Sequence, residues 1–297
     1  MIRCERATVE RGGLVVCEAV TFGVAPGHAT ALVGRTGSGK SSLLAAVAAA
    51  VPLHAGEILV DGHSVRREPR QVRRLVGHVP SRMPALHGVR ADEFLQLAAD
   101  VAGLRGGAID AAVGRALAAA GLGDGGRIRV DTLASGAAKR LLLAAALAHE
   151  PPVLVLDDPF SGLDPAGRRD AERLVADSHL VGRTVLAAID DADVPACFTH
   201  IVALAEGRIV ASGPNTPAAF PGRTWTHRIR CPGRTVEAVR VLGPLVMEAT
   251  AIDESSVVCR HDPARGPFAA AVAALIRADI PVDAAVFDPP WPAQLIG

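Results

Sequence analysis

The sequence predicts an α/β fold built on a largely parallel sheet, followed by a small α+β unit. Apolar strand-like runs alternate with helical segments, which is typical of parallel sheets. A glycine-rich turn at residues 34–41 joins a buried strand to an Ala/Leu-rich helix. Past Pro221-Gly222 the pattern of strand-like and helical runs changes. We therefore expect two domains, at residues 1–222 and 223–297.

The first domain opens with β-like runs between residues 6 and 33, "ATVE", "LVVCEAVTFGV" and "ATALVG". After the first helix comes "GEILVDG", whose closing Asp61-Gly62 is a hairpin signal. These runs predict an N-terminal antiparallel β part. From about residue 86 to 148 the pattern becomes helical, with glycine breaks, and predicts a helical insertion.

Strand patterns return in "PVLVLDD" at residues 152–158 and, after a polar helix from Pro165, in "RTVLAAID". The hairpin-like "HIVALAEGRIVASG" follows. In the second domain "HRIRC", "EATAIDESSVVCRH" and "PVDAAVFDPP" predict strands, and residues 267–278 predict a helix. These short strand-like runs with one helix favour a small α+β domain.

The composition of the chain disfavours several classes of function. The chain has 297 residues, with 31 basic and 31 acidic side chains, so bulk charge attracts neither nucleic acid nor an anionic membrane surface. Five scattered cysteines lack CxxC spacing, and we expect a reducing compartment, without disulfides or a metal cluster. The start of the chain does not read as a signal peptide, and no apolar run reaches the ~18 residues of a membrane span.

Residues 34–41, "GRTGSGKS", match the phosphate-binding pattern G-x-x-x-x-G-K-[ST] in the required strand–turn–helix context. Glycines let backbone N–H groups face phosphate oxygens, Lys40 neutralises the terminal phosphates, and the Ser41 hydroxyl is a candidate Mg²⁺ ligand. A merely flexible Gly/Ser loop is the alternative. The predicted nucleotide-binding residues are Gly34, Arg35, Thr36, Gly37, Ser38, Gly39, Lys40, Ser41 and Ser42.

A phosphate-binding loop of this kind also needs a carboxylate that holds the metal, at the end of a neighbouring strand. The run "VLVLDD" supplies one. We expect Asp157 to hold Mg²⁺ and Asp158 to lie one step nearer the attacking water. A solvated turn after a buried strand is the alternative. Together the two motifs predict a site that binds phosphate groups and Mg²⁺.

Several motifs in this order resemble the ATP-binding-cassette (ABC) transporter ATPase subunits: "GRTGSGKS", "GEILVDG", "VGHVPS", "LASGAAKR", "VLVLDDPFSGLD" and "EGRIVASG". The resemblance covers roughly residues 1–215 and implies a P-loop NTPase fold. It also implies a head-to-tail ATPase dimer that drives a membrane permease. Asp164 then lies in the loop that bridges the dimer. The C-terminal part is similar to the accessory domain of some exporter-type subunits.

Three positions near the γ-phosphate depart from the family pattern. Asp158 stands where the family has glutamate, and its side chain is shorter by about 1.5 Å. Ser81 replaces a glutamine. Ile189 falls at the place of a histidine, although a one-residue shift would put Asp190 there. We therefore interpret Asp158 as a weakened catalytic base and Ser81 and Ile189 as degenerate positions.

The signature segment, residues 133–140 ("LASGAAKR"), also departs from the family, in which it contacts ATP of the opposite subunit. Aligned without gaps, Ala134 stands at the serine place and Ser135 at a glycine place, while Gly136 is retained. Arg11 falls where an aromatic residue stacks on adenine, and its guanidinium plane can also stack.

The leading hypothesis is therefore an ATP-binding, slowly hydrolysing subunit of an ABC transporter, peripheral on the cytoplasmic face of the membrane. ATP and Mg²⁺ are the expected cofactors, and a permease and a homo- or heterodimeric ATPase partner the expected assembly. Its rival is a nucleotide-binding regulatory or structural subunit with little turnover. An ABC-like protein acting on nucleic acid is disfavoured by the balanced charge. Transport direction stays open.

Overall fold

A computed structural model of the chain describes residues 1–189, 194–195, 197–215, 225–261, 268–282 and 284–288. The chain divides into two compact units, Met1–Asp190 with Pro195–Ser212 and Asp191–Val194 with Gly213–Gly297. The boundary predicted at residue 222 falls in residues 216–224, outside the described residues. Each unit is described separately below.

An antiparallel sheet begins the first unit. Its strands lie in the order β2-β1-β4-β5, with the bounds β1 Ile2–Arg11, β2 Leu14–Val24, β4 Ala55–Val60 and β5 His63–Ser64. Asp61 and Gly62 join β4 to β5 with φ angles of +47° and +85°. Two positive φ angles match the twist of a two-residue hairpin. The turn predicted from Asp61-Gly62 is therefore confirmed.

A six-stranded sheet forms the centre of this unit. Its order is β10-β9-β3-β8-β7-β6, with the bounds β3 Ala29–Val33, β6 Val76–Val79, β7 Val153–Asp157, β8 Thr184–Ile189, β9 His200–Ala205 and β10 Arg208–Pro214. Strands β3, β7 and β8 are buried throughout and pair in parallel. Val33 lies opposite Ile189, and Asp157 opposite Ala188. The carboxyl ends of these strands therefore meet at one edge of the sheet.

Three helices belong to this sheet layer: α1 (Lys40–Val47), α2 (Pro69–Leu75) and α6 (Pro165–Leu180). Helix α1 follows β3 directly after the glycine-rich turn, and it is rich in Ala and Leu, which favour helix. Helix α6 starts with Pro165, whose fixed φ suits the first turn. The polar helix expected from Pro165 is confirmed.

The helical insertion consists of α3 (Ala91–Val101), α4 (Gly107–Ala119) and α5 (Ser135–Leu147). Its helices pack around an apolar cluster of their own, in which Leu95 and Leu141 are almost fully buried. This cluster is separate from the apolar cluster of the sheets. The signature segment at the start of α5 therefore belongs to the helical insertion and not to the sheet layer.

The second unit has a β-α-β-β-α-β order. Its elements are β11 (Trp225–Arg230), α7 (Thr235–Leu242), β12 (Glu248–Ala251), β13 (Ser256–His261), α8 (Phe268–Arg277) and β14 (Ala284–Asp288). The strands pair antiparallel in the order β12-β13-β11-β14. This is the ferredoxin-like arrangement. Helix α7 was missed by the sequence analysis, and "EATAIDESSVVCRH" forms two strands rather than one.

Candidate functional site

The glycine-rich turn, called the P-loop below (residues 34–41), connects β3 to α1 under tight steric limits. A Cβ built on Gly34 would lie 2.3 Å from the carbonyl oxygen of Leu204 and 2.6 Å from Ser38 Oγ. A Cβ on Gly39 would lie 2.5 Å from the carbonyl oxygen of Val16. Both contacts are shorter than real Cβ atoms show. Glycine is therefore required at both positions for the loop to fold this closely.

The side chain of Lys40 closes the P-loop. Its ammonium donates hydrogen bonds to the carbonyl oxygens of Gly34, at 2.8 Å, and of Arg35, at 2.9 Å. Lys40 is only 6% exposed, so its stem is packed while its charge lies against the loop backbone. The loop is thus curled around a cation, which suits it to an anionic ligand.

Helix α1 begins at the P-loop with its amino end uncovered by a capping side chain. Gly39 occupies the N-cap position at φ +104° and has no side chain that could accept from the first N–H groups. Around Gly37, at φ +87°, nothing lies within 4 Å of a built Cβ. A helix amino terminus without a capping side chain, beside open space, is a favourable place for a phosphate group.

Three oxygen-bearing side chains converge next to the P-loop. Ser41 Oγ donates a hydrogen bond to Asp157 Oδ1 at 3.0 Å, and the Ser81 side chain also hydrogen-bonds Asp157. Burial raises the pKa of Asp157, while the two serine hydrogen bonds act in the opposite direction. An all-oxygen set with one carboxylate fits Mg²⁺, which prefers oxygen ligands. These residues can therefore hold the expected cation.

Asp158 follows directly in a strained backbone conformation. Its φ is +50°, in the left-handed region that few non-glycine residues occupy. Its N–H donates to the carbonyl oxygen of Ala188, at 3.1 Å, and its own carbonyl accepts from Lys139 Nζ at 2.8 Å. Non-glycine residues in this region occur in turns and also cluster at functional sites. The backbone of Asp158 is thus held from both β8 and α5.

The other predicted positions occupy different surroundings. Ile189 is the last residue of β8, 2% exposed, and its surroundings are those of a core side chain. Asp190, the alternative for this position, lies outside the described residues. Arg11 is exposed at the end of β1, where the chain turns into β2. Its stacking role stays a prediction.

The signature segment forms the start of α5. Ala134 is the N-cap residue and Ser135 the first helical residue, so Gly136 lies in the first turn. Ser135 Oγ lies 3.4 Å from the carbonyl oxygen of Gly162, within the "SGLD" loop. Ala134 has no side-chain acceptor for the first N–H groups of α5. The helix start expected from the sequence is present, although its contact with ATP of another subunit stays a prediction.

Asp164 has a clear local role. Its carboxylate accepts a hydrogen bond from the backbone N–H of Gly167 at 2.8 Å, at the N-cap of α6. Such caps stabilise a helix by satisfying an unpaired N–H group. The predicted part of Asp164 in a dimer contact is separate from this cap and stays a prediction.

The sequence analysis missed Lys139. This residue is 4% exposed on α5, and its ammonium donates to the carbonyl oxygens of Ser81, at 2.9 Å, and of Asp158. One signal was available: the chain has only two lysines, Lys40 and Lys139, and both fall inside motifs.

Comparison with known proteins finds a matching family and curated relatives. A family described as "ABC transporter" matches residues 17–161. The hemin import ATP-binding protein HmuV of Nocardia farcinica is 32% identical over 222 residues, which are 72% of this chain and 77% of that protein. The putative ABC transporter ATP-binding protein GSU3001 of Geobacter sulfurreducens is 33% identical over 208 residues, 68% of this chain and 74% of that protein.

Other curated relatives are longer. The chain spans about half the length of several of them, between 37 and 62%. Among solved structures, the ATP-binding cassette MJ0796, a dimer bound to ADP and Pi, aligns with a TM-score of 0.65. The alignment covers 73% of this chain and 99% of that one at 22% identity, which shows a shared fold.

Proposed function

The chain belongs to the family of ABC transporter ATP-binding proteins, and we propose that it binds ATP with Mg²⁺ and hydrolyses it slowly to drive a membrane permease. Its relatives of similar length are ATP-binding proteins of this family. The sequence motifs, the parallel sheet and the P-loop all agree with that membership. ATP is accordingly the ligand proposed for the P-loop.

The observation that carries the proposal is the junction of the P-loop with β7. Lys40 lies against the loop backbone, and Ser41 hydrogen-bonds Asp157 from the neighbouring strand. In the proposed complex, the loop N–H groups and Lys40 bind the phosphates, while Ser41 and Asp157 hold Mg²⁺. When bound, the cation would neutralise charge that develops on the phosphates.

We propose slow turnover because of the residues beside Asp157. The shorter side chain of Asp158 leaves its carboxylate farther from an attacking water than a glutamate would, by about 1.5 Å. Ser81 is too short to reach as a glutamine does, and its side chain is engaged with Asp157. Misplacement on this scale can cost about a hundredfold in rate.

The assembly is part of the same proposal. ATPase subunits would pair head-to-tail. Each would offer the start of α5, with Ala134, Ser135 and Gly136, and Asp164 from the loop between β7 and α6 to its partner. Within the described part of the chain, no helix has the length and apolarity needed to cross a membrane. A permease subunit would then supply the path for the transported substrate, and this chain would lie against it on the inner face.

The test measures ATP binding by calorimetry and phosphate release at saturating MgATP. The full chain is compared with Lys40→Ala, which removes the cation of the P-loop, and with Asp158→Glu. We expect binding by the unmodified chain, phosphate release above the Lys40→Ala background, and a rate increase of about tenfold or more in Asp158→Glu.

Each outcome has a distinct meaning. Lack of MgATP binding by the unmodified chain would refute the proposal. Binding with phosphate release no higher than in Lys40→Ala would refute hydrolysis and favour a nucleotide-operated regulatory subunit. An Asp158→Glu variant that binds MgATP but gains no rate would refute the role given to the shortened carboxylate.

A further inference from the structure

Lys139 joins three segments that are far apart in sequence. It lies on α5 of the helical insertion, four residues after the start of that helix. Its ammonium donates to the carbonyl oxygen of Ser81, after β6, at 2.9 Å and to that of Asp158, after β7, at 2.8 Å. The side chain is 4% exposed, and both hydrogen bonds are partly buried.

Lys139 contacts backbone that includes a residue in the left-handed conformation. Asp158 has a φ of +50°, and its orientation depends on the groups that hold its peptide bonds. Its N–H is held by Ala188 of β8, within the sheet. Its carbonyl is held by Lys139, from the helical insertion. The direction of the Asp158 side chain therefore depends on both layers.

The charge of Lys139 also acts on the carboxylates. Burial lowers the pKa of Lys139, and the charges of Asp158 and Asp157 oppose that shift. In return Lys139 favours the ionised form of Asp157, whose pKa burial raises.

We propose that Lys139 is a positioning residue for ATP hydrolysis, which fixes the backbones of Ser81 and Asp158 relative to the signature helix α5. This inference rests on the proposed function. A neutral side chain of similar length would pack in the same place but would leave two carbonyl oxygens without their charged donor. The attacking water would then face a less well-oriented Asp158, while the P-loop would be unchanged.

The experiment compares Lys139→Met and Lys139→Arg with the unmodified full chain. Lys139→Met keeps the length and removes the charge, whereas Lys139→Arg keeps the charge and the donors. Arg73→Met is the matched control, because Arg73 is a partly buried cation that donates to a backbone carbonyl, that of Ala49, at 2.9 Å. Lys139→Gln, a shorter neutral donor, replaces Lys139→Met if that variant does not fold.

Kinetics give the first result. We expect Lys139→Met to lower kcat about tenfold or more and to leave KM and MgATP affinity nearly unchanged. The size follows from the stabilisation that a hydrogen bond from a charged donor contributes. Lys139→Arg should recover most of the rate. Equal kcat values in Lys139→Met and the unmodified enzyme would overturn the proposal.

Hydrogen exchange gives a second result that needs no turnover. In the nucleotide-free chain, Lys139→Met should speed exchange around residues 79–83 and 157–161, whereas Arg73→Met should not. Unchanged exchange in these segments would overturn the positioning role even if ATP is not hydrolysed. Failure of the unmodified chain to bind MgATP, with faster exchange in Lys139→Met, would refute the proposed function and leave the structural part of this inference standing.

Discussion

Gly39 offers the sharpest test of the P-loop geometry, through the substitution Gly39→Ala. The added methyl group would lie 2.5 Å from the carbonyl oxygen of Val16 and 2.7 Å from Cys17 Sγ, so the loop or β2 must move. Gly37→Ala is the matched control. Gly37 also has a positive φ, +87° against +104°, but a methyl group there meets nothing within 4 Å.

The two variants separate backbone strain from collision. Each positive φ costs a residue with a Cβ about 1 to 2 kcal/mol. Overpacking adds about 1 to 3 kcal/mol at Gly39 alone. We therefore expect Gly37→Ala to lower the free energy of unfolding by about 1 to 2 kcal/mol and Gly39→Ala by about 2 to 5 kcal/mol.

Urea unfolding followed by circular dichroism gives the stabilities, and calorimetry gives the dissociation constant for MgATP. Displacement of the loop at Gly39 also moves the amino end of α1, so Gly39→Ala should bind MgATP at least about tenfold more weakly than Gly37→Ala. Equal losses of stability in the two variants, or unchanged affinity in Gly39→Ala, would refute this account of the loop.

Two further predictions concern stability. Asp164→Ala removes the N-cap of α6 and should lower the free energy of unfolding by about 1 kcal/mol, whereas exposed Asp170→Ala on the same helix should change it little; equal urea midpoints would contradict the cap. Burial lowers the pKa of His78 to about 4 from 6.5, so its contribution to stability is complete above pH 6.5 and is lost as the pH falls toward 4. In His78→Phe, the fall in the free energy of unfolding between pH 6.5 and 4 should therefore be smaller by up to about 3 kcal/mol. Urea midpoints measured across this pH range give the test. The same change in the exposed control His87→Phe would refute the assignment.

The local parts of the fold followed from the sequence. Asp61-Gly62 identified a hairpin because only particular residues adopt two successive positive φ angles. The P-loop was recognisable because Gly34, Gly39 and Lys40 meet a steric and electrostatic requirement at fixed spacing. Pro165 marked the first turn of α6 for a similar reason. In each case the signal lies within a few residues.

The remaining features depend on contacts between distant segments. The position of β6 at the edge of the sheet, next to β7, is set by packing and not by the run "VGHV" itself. Helix α7 was missed because "TVEAVRVL" is short and contains β-branched residues, which favour strands in isolation. Lys139 acts through the carbonyl oxygens of Ser81 and Asp158, and no sequence pattern records which carbonyl a lysine will meet.

The P-loop is held from several directions by the protein itself. The N–H of Gly207, in the turn between β9 and β10, donates to the carbonyl oxygen of Ser38 at 3.1 Å, and Cys17 Sγ lies 3.5 Å from that of Gly39. Lys40 secures the opening of the loop. Because its backbone is braced in this way, a ligand that enters has little chain entropy to remove. Binding energy can then go into holding the nucleotide instead of ordering its receptor.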